Sequence, residues 1–510
     1  MADQPKSKRA WRFLRWGMVS MAVLVTLLAV LITEEDWRGE HDWENYKYAA
    51  EINGDQFDWA SFMPTNVPDD QNFAKAPIFA GLTSMKWDGE AEEWKPGDSN
   101  IVDRLKMRLT REDGVSSEVA TADWSRGQFT DLPRWQAYYR MPDTNVPAEF
   151  PVAAQAHSPG ADVLLALSKY DSAIEELRDA SRRPCAYFGP YRFYDPTSNS
   201  FLLIYLQRSK ACCSVIELRA VAELSENQGA RALNDVNLLL RLGDELRNER
   251  LLIAQLVSIA ETRLALQPIY EGLAGHRWND PQLAELEDAL AKKDFLADLE
   301  IAMRGERNCA IDAFEKQRLT RQIQTVVQEN GSDKVDTISL RWMPTAYFYQ
   351  NQLAFARMFN QYILPLADLN HKTVSVAACR AGQVDLLQRQ KRFSPYNMQA
   401  LMTLPSVIKS VTKFAVAQAD VDLARTACAL ERYRLAHGEY PETLDVLAPQ
   451  FMSSVPHDLI TGQPLHYRRS DDGKFVLYSV GWNEQDDGGM IAFTKDGRLD
   501  PEKGDWVWKY

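Results

Sequence analysis

The sequence predicts an α+β protein with an N-terminal transmembrane helix, a small β-rich section, an irregular α-helical bundle, and a C-terminal helix with a small antiparallel sheet. Three observations support this prediction: one long uncharged apolar run, apolar stripes at helical spacing, and short apolar runs separated by Asp-Gly turns. Because 510 residues exceed one ordinary hydrophobic core, we expect two or three domains. The expected segments are 1–15, 16–33, 34–77, 78–158, 159–405 and 406–510.

The composition is that of a folded chain that does not bind nucleic acid. A hydrophobic fraction of 45% and a charged fraction of 25% are typical of globular proteins. The net charge of -13 argues against nucleic acid as a partner, because phosphate binding needs a basic face. The same charge argues against wide adhesion to anionic lipid.

The apolar run from Trp16 to Thr33 predicts a membrane anchor. It contains no charged residue, and at about 1.5 Å per residue it covers most of a roughly 30 Å hydrocarbon layer. Segment 1–15 is basic and residues 34–36 are acidic, so the positive-inside rule places the N-terminus in the cytoplasm and the rest outside. We therefore expect a single-pass protein of the bacterial inner membrane, with most of its chain in the periplasm. A cleaved signal peptide is the alternative, but such peptides usually have shorter apolar regions that end at small residues.

Segment 34–77 is rich in aromatic residues and is expected to be irregular. Up to Tyr48 these aromatics fit either an interfacial belt at the lipid headgroups or packing onto the first domain. Beyond Tyr48, at Phe57 and Trp59, packing is favoured.

Segment 78–158 is expected to be β-rich. Apolar and polar residues alternate from Ile101 to Leu109, which is typical of a half-buried strand, and turn clusters flank this run. The tryptophans of this section are interpreted mainly as core residues, with carbohydrate binding as the weaker alternative.

Segment 159–405 is expected to be mainly helical, without a fixed repeat. Asp280-Pro281 is typical of a helix start, and Leu283, Leu286 and Leu290 follow with helical spacing. A polar break at 328–334 precedes another predicted helix, from about Pro344 to Leu366.

Segment 406–510 predicts a long helix, a short helix and three strands. The long helix runs from about Ser406 to Ala436 and is stopped by Gly438 and Pro441. The short helix extends from Pro441 to Leu447. The strands are expected at 465–468, 475–480 and 490–493, because Asp-Gly turns separate and follow these runs.

This last segment resembles the globular domain of the major pseudopilins of type II secretion systems. The resemblance is carried by residues 429–441, 442–447, Pro456, 462–467, 478–481 and 486–489. It covers roughly 420–510, and the remainder is similar to uncharacterised envelope proteins of planctomycete and verrucomicrobial bacteria. Pseudopilins start with a leader and a glutamate-bearing apolar helix, which are not found in this sequence. We therefore expect a borrowed module and not assembly into a pilus through the anchor.

The resemblance also implies a calcium site. Major pseudopilins bind calcium in the loop that corresponds to 481–489, and Asp486, Asp487 and Asp505 match the acidic ligands of that family. Calcium prefers six to eight oxygen ligands, which carboxylates and carbonyls supply. The alternative reading is a tight Asp-Asp-Gly-Gly turn with solvated carboxylates.

No catalytic residue can be assigned from the sequence. The seven histidines show no zinc-binding spacing, and nucleophile-elbow, P-loop and dinucleotide-binding motifs are absent. The six cysteines are interpreted mainly as small buried residues, with disulfides as the alternative. We expect an envelope protein of structural or protein-interaction type, with a hypothetical accessory role in a secretion or pilus-like system. An exported hydrolase of cell-wall or polysaccharide substrates is the alternative.

Overall fold

The computed structural model describes residues 6–63, 67–83, 85–88, 93–96, 103–111, 122–142, 149–189, 200–329, 332–392 and 394–510. The fold is mostly helical with small antiparallel sheets. The helices are α1 (Lys6–Ile52), α2 (Trp59–Phe62), α3 (Ala80–Thr83), α4 (Leu132–Tyr139), α5 (Pro159–Leu167), α6 (Asp171–Ala180), α7 (Ser200–Ser225), α8 (Gly229–Glu245), α9 (Leu252–Ala274), α10 (Asp280–Ala291), α11 (Phe295–Thr320), α12 (Thr345–Tyr362), α13 (Val376–Gln390) and α14 (Met398–His437). The strands are β1 (Met85–Asp88), β2 (Glu93–Pro96), β3 (Gln322–Glu329), β4 (Ser332–Ser339), β5 (Ala367–Asp368), β6 (Thr373–Val374), β7 (His466–Arg469), β8 (Phe475–Ser479), β9 (Ile491–Phe493), β10 (Leu499–Gly504) and β11 (Trp506–Lys509).

The N-terminal apolar run forms an exposed helix, as predicted. Residues 11–34 are all exposed, and the most apolar window of this helix has a mean hydropathy of 2.2. Such a helix is consistent with a membrane anchor or a signal sequence. A second helix, α14, also passes the length and hydropathy test, but 67% of its apolar window is buried. Its apolar character therefore belongs to the protein core.

The expectation of an irregular segment after the anchor is wrong as far as Ile52. Helix α1 continues without a break for 19 residues beyond Thr33 because one of its faces packs on α12. Of its aromatic residues, Trp37 and Tyr48 are exposed, whereas Trp43 is buried. Phe57 and Trp59 are buried as predicted, with 2% and 7% exposure.

The prediction of a β-rich section is wrong over the described part of 78–158. That part contains the β1–β2 hairpin, and its other regular elements are helices or helical turns. Leu105 and Met107 are buried in alternation as predicted, but residues 103–109 form no strand. Their backbone bonds to side chains instead, since the N–H of Arg108 donates to the Tyr170 hydroxyl at 3.0 Å.

The middle of the chain is helical as predicted. Helices α7, α8 and α9 pack on one another, and α14 packs against helices α9 to α13. The predicted start at Asp280 is confirmed, and its cap is a capping box between Asn279 and Gln282. The polar break at 328–334 includes the end of β3 and the start of β4, which pair at Glu329 and Ser332. The predicted helix after Pro344 is α12, which is followed by a 3-10 turn to Leu366.

The C-terminal prediction is confirmed in its main elements. Helix α14 ends at His437, and Gly438 follows in the left-handed conformation with φ 88°. The predicted short helix is a 3-10 turn, Leu444–Leu447. The three predicted strands are β7, β8 and β9, and the structure adds β10 and β11. They form a β11-β8-β7 sheet and a separate β9–β10 pair, both antiparallel.

The C-terminal strands and the helical bundle share one hydrophobic core. Trp508 of β11 is fully buried, with its ring centroid 4.9 Å from that of Trp124 and 5.5 Å from that of Tyr270. All six cysteines are free, and every one except Cys185 is buried, as the preferred interpretation predicted.

Candidate functional site

The junction between α1 and α12 joins the exposed apolar helix to the folded part of the chain. The two helices run parallel, because Asp36, Glu40 and Tyr46 contact successively later residues of α12. At Gly39 the helices are so close that an added Cβ would lie 3.2 Å from the Cα of Ala346. Glycine therefore permits the close approach of the two backbones.

Asp36 replaces the missing side-chain cap of α12. The N-cap residue of α12, Pro344, makes no side-chain cap bond, whereas Asp36 Oδ1 accepts a bond from the Ala346 N–H at 2.6 Å. A carboxylate at a helix N-terminus is favoured both by the unpaired N–H groups and by the helix dipole. Asp36, one of the acidic residues that follow the apolar run, therefore contributes to the folded structure.

A small hydrophobic cluster completes the junction. Trp43 is 4% exposed and packs with a group of buried residues from α11, α12 and the segment after α1: Phe57, Ile311, Tyr349, Leu353 and Ala356. The rings of Trp43 and Phe57 meet edge to face at a centroid distance of 5.7 Å. The chain after α1 thus folds back onto the same junction.

Asp55 anchors that returning chain through a buried ion pair. Arg307, whose side chain is fully buried, places its Nη1 2.7 Å from Asp55 Oδ2 and its Nη2 2.7 Å from Asp55 Oδ1. Asn360 also donates to Asp55, at 3.0 Å. Burial alone would raise the pKa of Asp55, but the hydrogen bonds and charge of Arg307 outweigh burial and hold that pKa below its usual value.

A cleft of about 470 Å³ opens beside Asp55, and its lining includes Tyr46, Arg304 and Asn360. Its volume is within the range of small-molecule sites. However, Asp55 is held ionised between two arginines and an amide, so it is not placed to exchange a proton with a substrate. The cleft is therefore explained as the edge of a structural ion-pair network.

The C-terminal acidic loop contains two of the three predicted calcium ligands, Asp486 and Asp487, and the third, Asp505, bonds to the backbone of that loop. Asp505 is 2% exposed, and its carboxylate accepts the N–H groups of Asp487, Gly489 and Met490 at 3.2, 2.6 and 3.3 Å. Burial raises the pKa of Asp505, although these hydrogen bonds act in the opposite direction. Asp505 therefore fixes the loop backbone.

The other two carboxylates of this loop also have protein partners. Asp486 Oδ1 accepts from the Tyr478 hydroxyl at 2.9 Å, and Asp487 Oδ2 accepts from Asn483 at 2.7 Å. Within the described ranges, no three or more His, Cys, Asp and Glu residues are grouped in a way that could hold a metal ion. As they stand, these side chains do not form a calcium ligand set. Calcium binding stays a prediction, and it requires the carboxylates to exchange their present donors for the ion.

Burial raises the pKa of several interior carboxylates. Glu261 of α9 is fully buried, and burial raises its pKa to about 7. Burial likewise raises the pKa of Glu245 to about 8 and that of Glu217 well above its usual value. These groups lie among the packed helices α7, α8 and α9, so their altered pKa values reflect the core and do not identify a catalytic site.

A smaller cleft of about 160 Å³ is lined by two carboxylates whose pKa is raised by burial, Asp420 and Asp505. Asp420 of α14 lies at this cleft, 3.2 Å from Arg263, and burial raises its pKa to about 6. The volume is about half of the roughly 300 Å³ at which ligand pockets usually begin. The cleft is therefore smaller than a usual ligand site.

The residues of the junction were not predicted from the sequence. Asp36 was interpreted only as part of the acidic flank of the anchor, and Gly39 and Arg307 carried no recognisable motif. A helical period does continue past Thr33, with Asp36, Gly39, Trp43 and Tyr46 on one face, and that signal indicates the helix and its packed side.

No family model matches the chain, and no curated protein or solved structure matches it either.

Proposed function

We propose that this protein is a membrane-anchored envelope protein of structural or protein-interaction type. Its N-terminus lies in the cytoplasm, α1 crosses the bacterial inner membrane, and the rest of the chain lies in the periplasm. The observation that supports the proposal best is the continuity of α1. One helix carries both an exposed, uncharged apolar surface and, after Thr33, a face that is packed into the fold.

This continuity also supports an uncleaved anchor over a cleaved signal peptide. Residues 36–46 hold α12 through Asp36, Gly39 and Trp43. Cleavage directly after the apolar run would place a new chain end next to that junction. An intact helix keeps the junction and the membrane segment in one element.

The test is expression of the full chain, with a C-terminal epitope, in a bacterial host. We expect the epitope to remain with membranes after alkaline extraction, to be removed by protease added to spheroplasts, and to belong to a chain with an intact N-terminus by mass. A soluble, N-terminally shortened product would contradict the anchor. An epitope that is protected in spheroplasts and digested only after lysis would contradict the orientation.

The C-terminal module is proposed to contact other envelope proteins, including components of a secretion or pilus-like system. Met490 and Phe493 support this part of the proposal, because they are 66% and 47% exposed in the segment that resembles pseudopilins. A photo-crosslinking residue at Met490 is expected to give a discrete adduct in living cells. The same probe at the exposed loop residue Asp471 serves as the control, and equal labelling from both would contradict a specific contact.

An exported hydrolase remains the second candidate, and Asp420 is the observation that favours it. Its raised pKa and its cleft are features of a general acid. Purified full-length protein would be assayed on cell-wall glycan beside an Asp420→Asn variant. Turnover that is lost in the variant supports this candidate, whereas equal turnover or none from both proteins contradicts it.

A further inference from the structure

The junction fixes the height of the folded part above the membrane. Asp36, which caps α12, lies three residues after Thr33, or about 4.5 Å further along the helix. The headgroup layer on each side of a bilayer is about 5 to 7 Å thick. With the apolar run of α1 in the hydrocarbon layer, the beginning of α12 lies at the level of the lipid headgroups.

Two other parts of the chain are held at the same level. Helix α11 runs antiparallel to α12, and Arg321 at its end donates to Met343 O and to Thr345 Oγ1, both at 2.8 Å. The loop before α14 lies next to the beginning of α12. Hydrogen bonds tie it to the first part of α12, since Asn351 donates to Pro395 O at 3.0 Å and Gln399 donates to the Tyr347 hydroxyl at 3.0 Å.

The exposed side chains of these parts are unusual for a surface in water. Trp342 is 92% exposed, Leu319 is 60% exposed and Ile338 is 53% exposed. Exposed basic residues accompany them, although the whole chain is acidic. We call this set the proximal surface, which consists of Leu319, Ile338, Arg341, Trp342, Lys391 and Arg392.

We infer that the proximal surface rests on the headgroup layer of the leaflet from which α1 emerges. Trp342 inserts between the headgroups, and Arg341, Lys391 and Arg392 bind lipid phosphates. Tryptophan is enriched at this depth because its ring is apolar and its N–H needs a polar partner, and basic side chains pair with phosphate. The inference rests on the proposed membrane anchoring.

This local contact agrees with the acidic character of the chain. A net charge of -13 opposes wide adhesion, but the proximal surface offers three basic residues where the anchor already brings it to the lipid. The contact needs no affinity of its own, since α1 supplies a high effective concentration. Its effect is to fix the tilt of the folded part relative to the membrane.

The test measures membrane depth at three introduced cysteines in the full chain reconstituted into nanodiscs of phosphatidylethanolamine and phosphatidylglycerol. Trp342→Cys reports the proximal surface, and Val23→Cys reports the anchor. Leu435→Cys is the control, because it is 45% exposed and about 55 Å further along α14 than Met398. Every chain carries Cys185→Ser, since that cysteine alone is not buried. An environment-sensitive fluorophore is attached to each chain, and circular dichroism verifies the fold.

We expect the label at 342 to show a blue-shifted emission and quenching by headgroup-bound nitroxide. The label at 23 should be quenched by nitroxides deep in the acyl chains, and the label at 435 only by aqueous iodide. Lipid protection at 23 together with aqueous behaviour at 342 would overturn the inference and leave the anchor intact. Aqueous behaviour at both positions would overturn the inference and the proposed anchoring. A label at 342 that is aqueous in nanodiscs but shielded in native membranes would overturn the inference in favour of a protein partner.

Discussion

The carboxylate of Asp36 accepts a hydrogen bond of 2.6 Å from the backbone N–H of Ala346, although 310 positions separate the two residues. Through this bond, the first turn after the apolar run caps a helix from the middle of the chain. The exposed apolar helix and the folded part are therefore continuous, and substitutions at their junction test this connection.

Asp36→Ala is expected to lower the free energy of unfolding by about 1 kcal/mol, the usual cost of losing a helix cap. Asp36→Asn should recover most of this loss, because an amide oxygen also accepts the N–H bond. Chemical unfolding in detergent micelles measures the free energy of unfolding of both variants. Glu44→Ala, at an exposed position of the same helix, is the control and should be near neutral. Equal losses from Asp36→Ala and Glu44→Ala would contradict the capping role.

Gly39→Val is expected to destabilise the protein by about 1 to 3 kcal/mol, because the added side chain meets the backbone of Ala346. Gly17→Val is the matched control, since an added Cβ at Gly17 meets nothing within 4 Å. The shift in thermal midpoint of each variant measures the difference. A Gly39→Val protein as stable as the control would show that the helices separate easily.

Arg307→Ala is expected to cost about 3 to 5 kcal/mol, because it leaves the carboxylate of Asp55 without its main partner in a largely buried position. Arg304→Ala is the control, since Arg304 is 34% exposed and should cost about 1 kcal/mol or less. The lowered pKa of Asp55 means that its contribution is present above its unfolded value of 3.8 and disappears as pH falls through the folded value. The difference in free energy of unfolding between wild type and Arg307→Ala should therefore become smaller in acid. A difference that does not depend on pH would contradict the ion pair.

Glu261→Gln is expected to stabilise the protein at neutral and alkaline pH. Burial raises the pKa of Glu261 from 4.5 to about 7, so the carboxylate of the wild type opposes folding increasingly as pH rises between those values. The variant should be more stable by about 3 kcal/mol at pH 8 and nearly equal to wild type at pH 4. Thermal unfolding across this range is the measurement. A stabilisation by Glu261→Gln that is largest in acid would contradict the raised pKa of Glu261.

Calcium binding is tested by the thermal midpoint of the full chain with calcium and with a chelator. The resemblance to pseudopilins predicts a higher midpoint with calcium and no such increase in Asp486→Asn, whose carboxylate is 47% exposed. An unchanged midpoint in the wild type would contradict the prediction. In that case the N–H groups that bond to Asp505 fix the loop without an ion.

The elements that the sequence predicts correctly are those with strong local signals. The apolar run, the stop at Gly438 and the Asp-Gly turns between the C-terminal strands each determine local structure from a few neighbouring residues. The prediction of a β-rich section fails because the alternation of apolar and polar residues indicates only which side chains are buried. Tyr170 and Tyr138 supply the hydrogen bonds that a neighbouring strand would have provided, and such contacts between distant residues have no local signature.

The candidate sites show the same contrast between local sequence signals and contacts of distant residues. Asp486, Asp487 and Asp505 were predicted from a resemblance, and each carboxylate accepts a hydrogen bond from a protein donor whose position depends on the fold. The junction was missed because Asp36 and Ala346 meet only when two helices pack in parallel. No spacing within either helix indicates the partner.

The position of Trp508 has a consequence for the order of folding. Its ring lies in the core between Trp124 and Tyr270, and the Tyr270 hydroxyl donates to Lys509 O at 3.0 Å. The helices that carry Trp124 and Tyr270 therefore cannot close their interior until β11 has packed against them. The core is complete only when segments that lie more than 200 residues apart along the chain have met, so the last strand and the helical bundle fold as one cooperative unit.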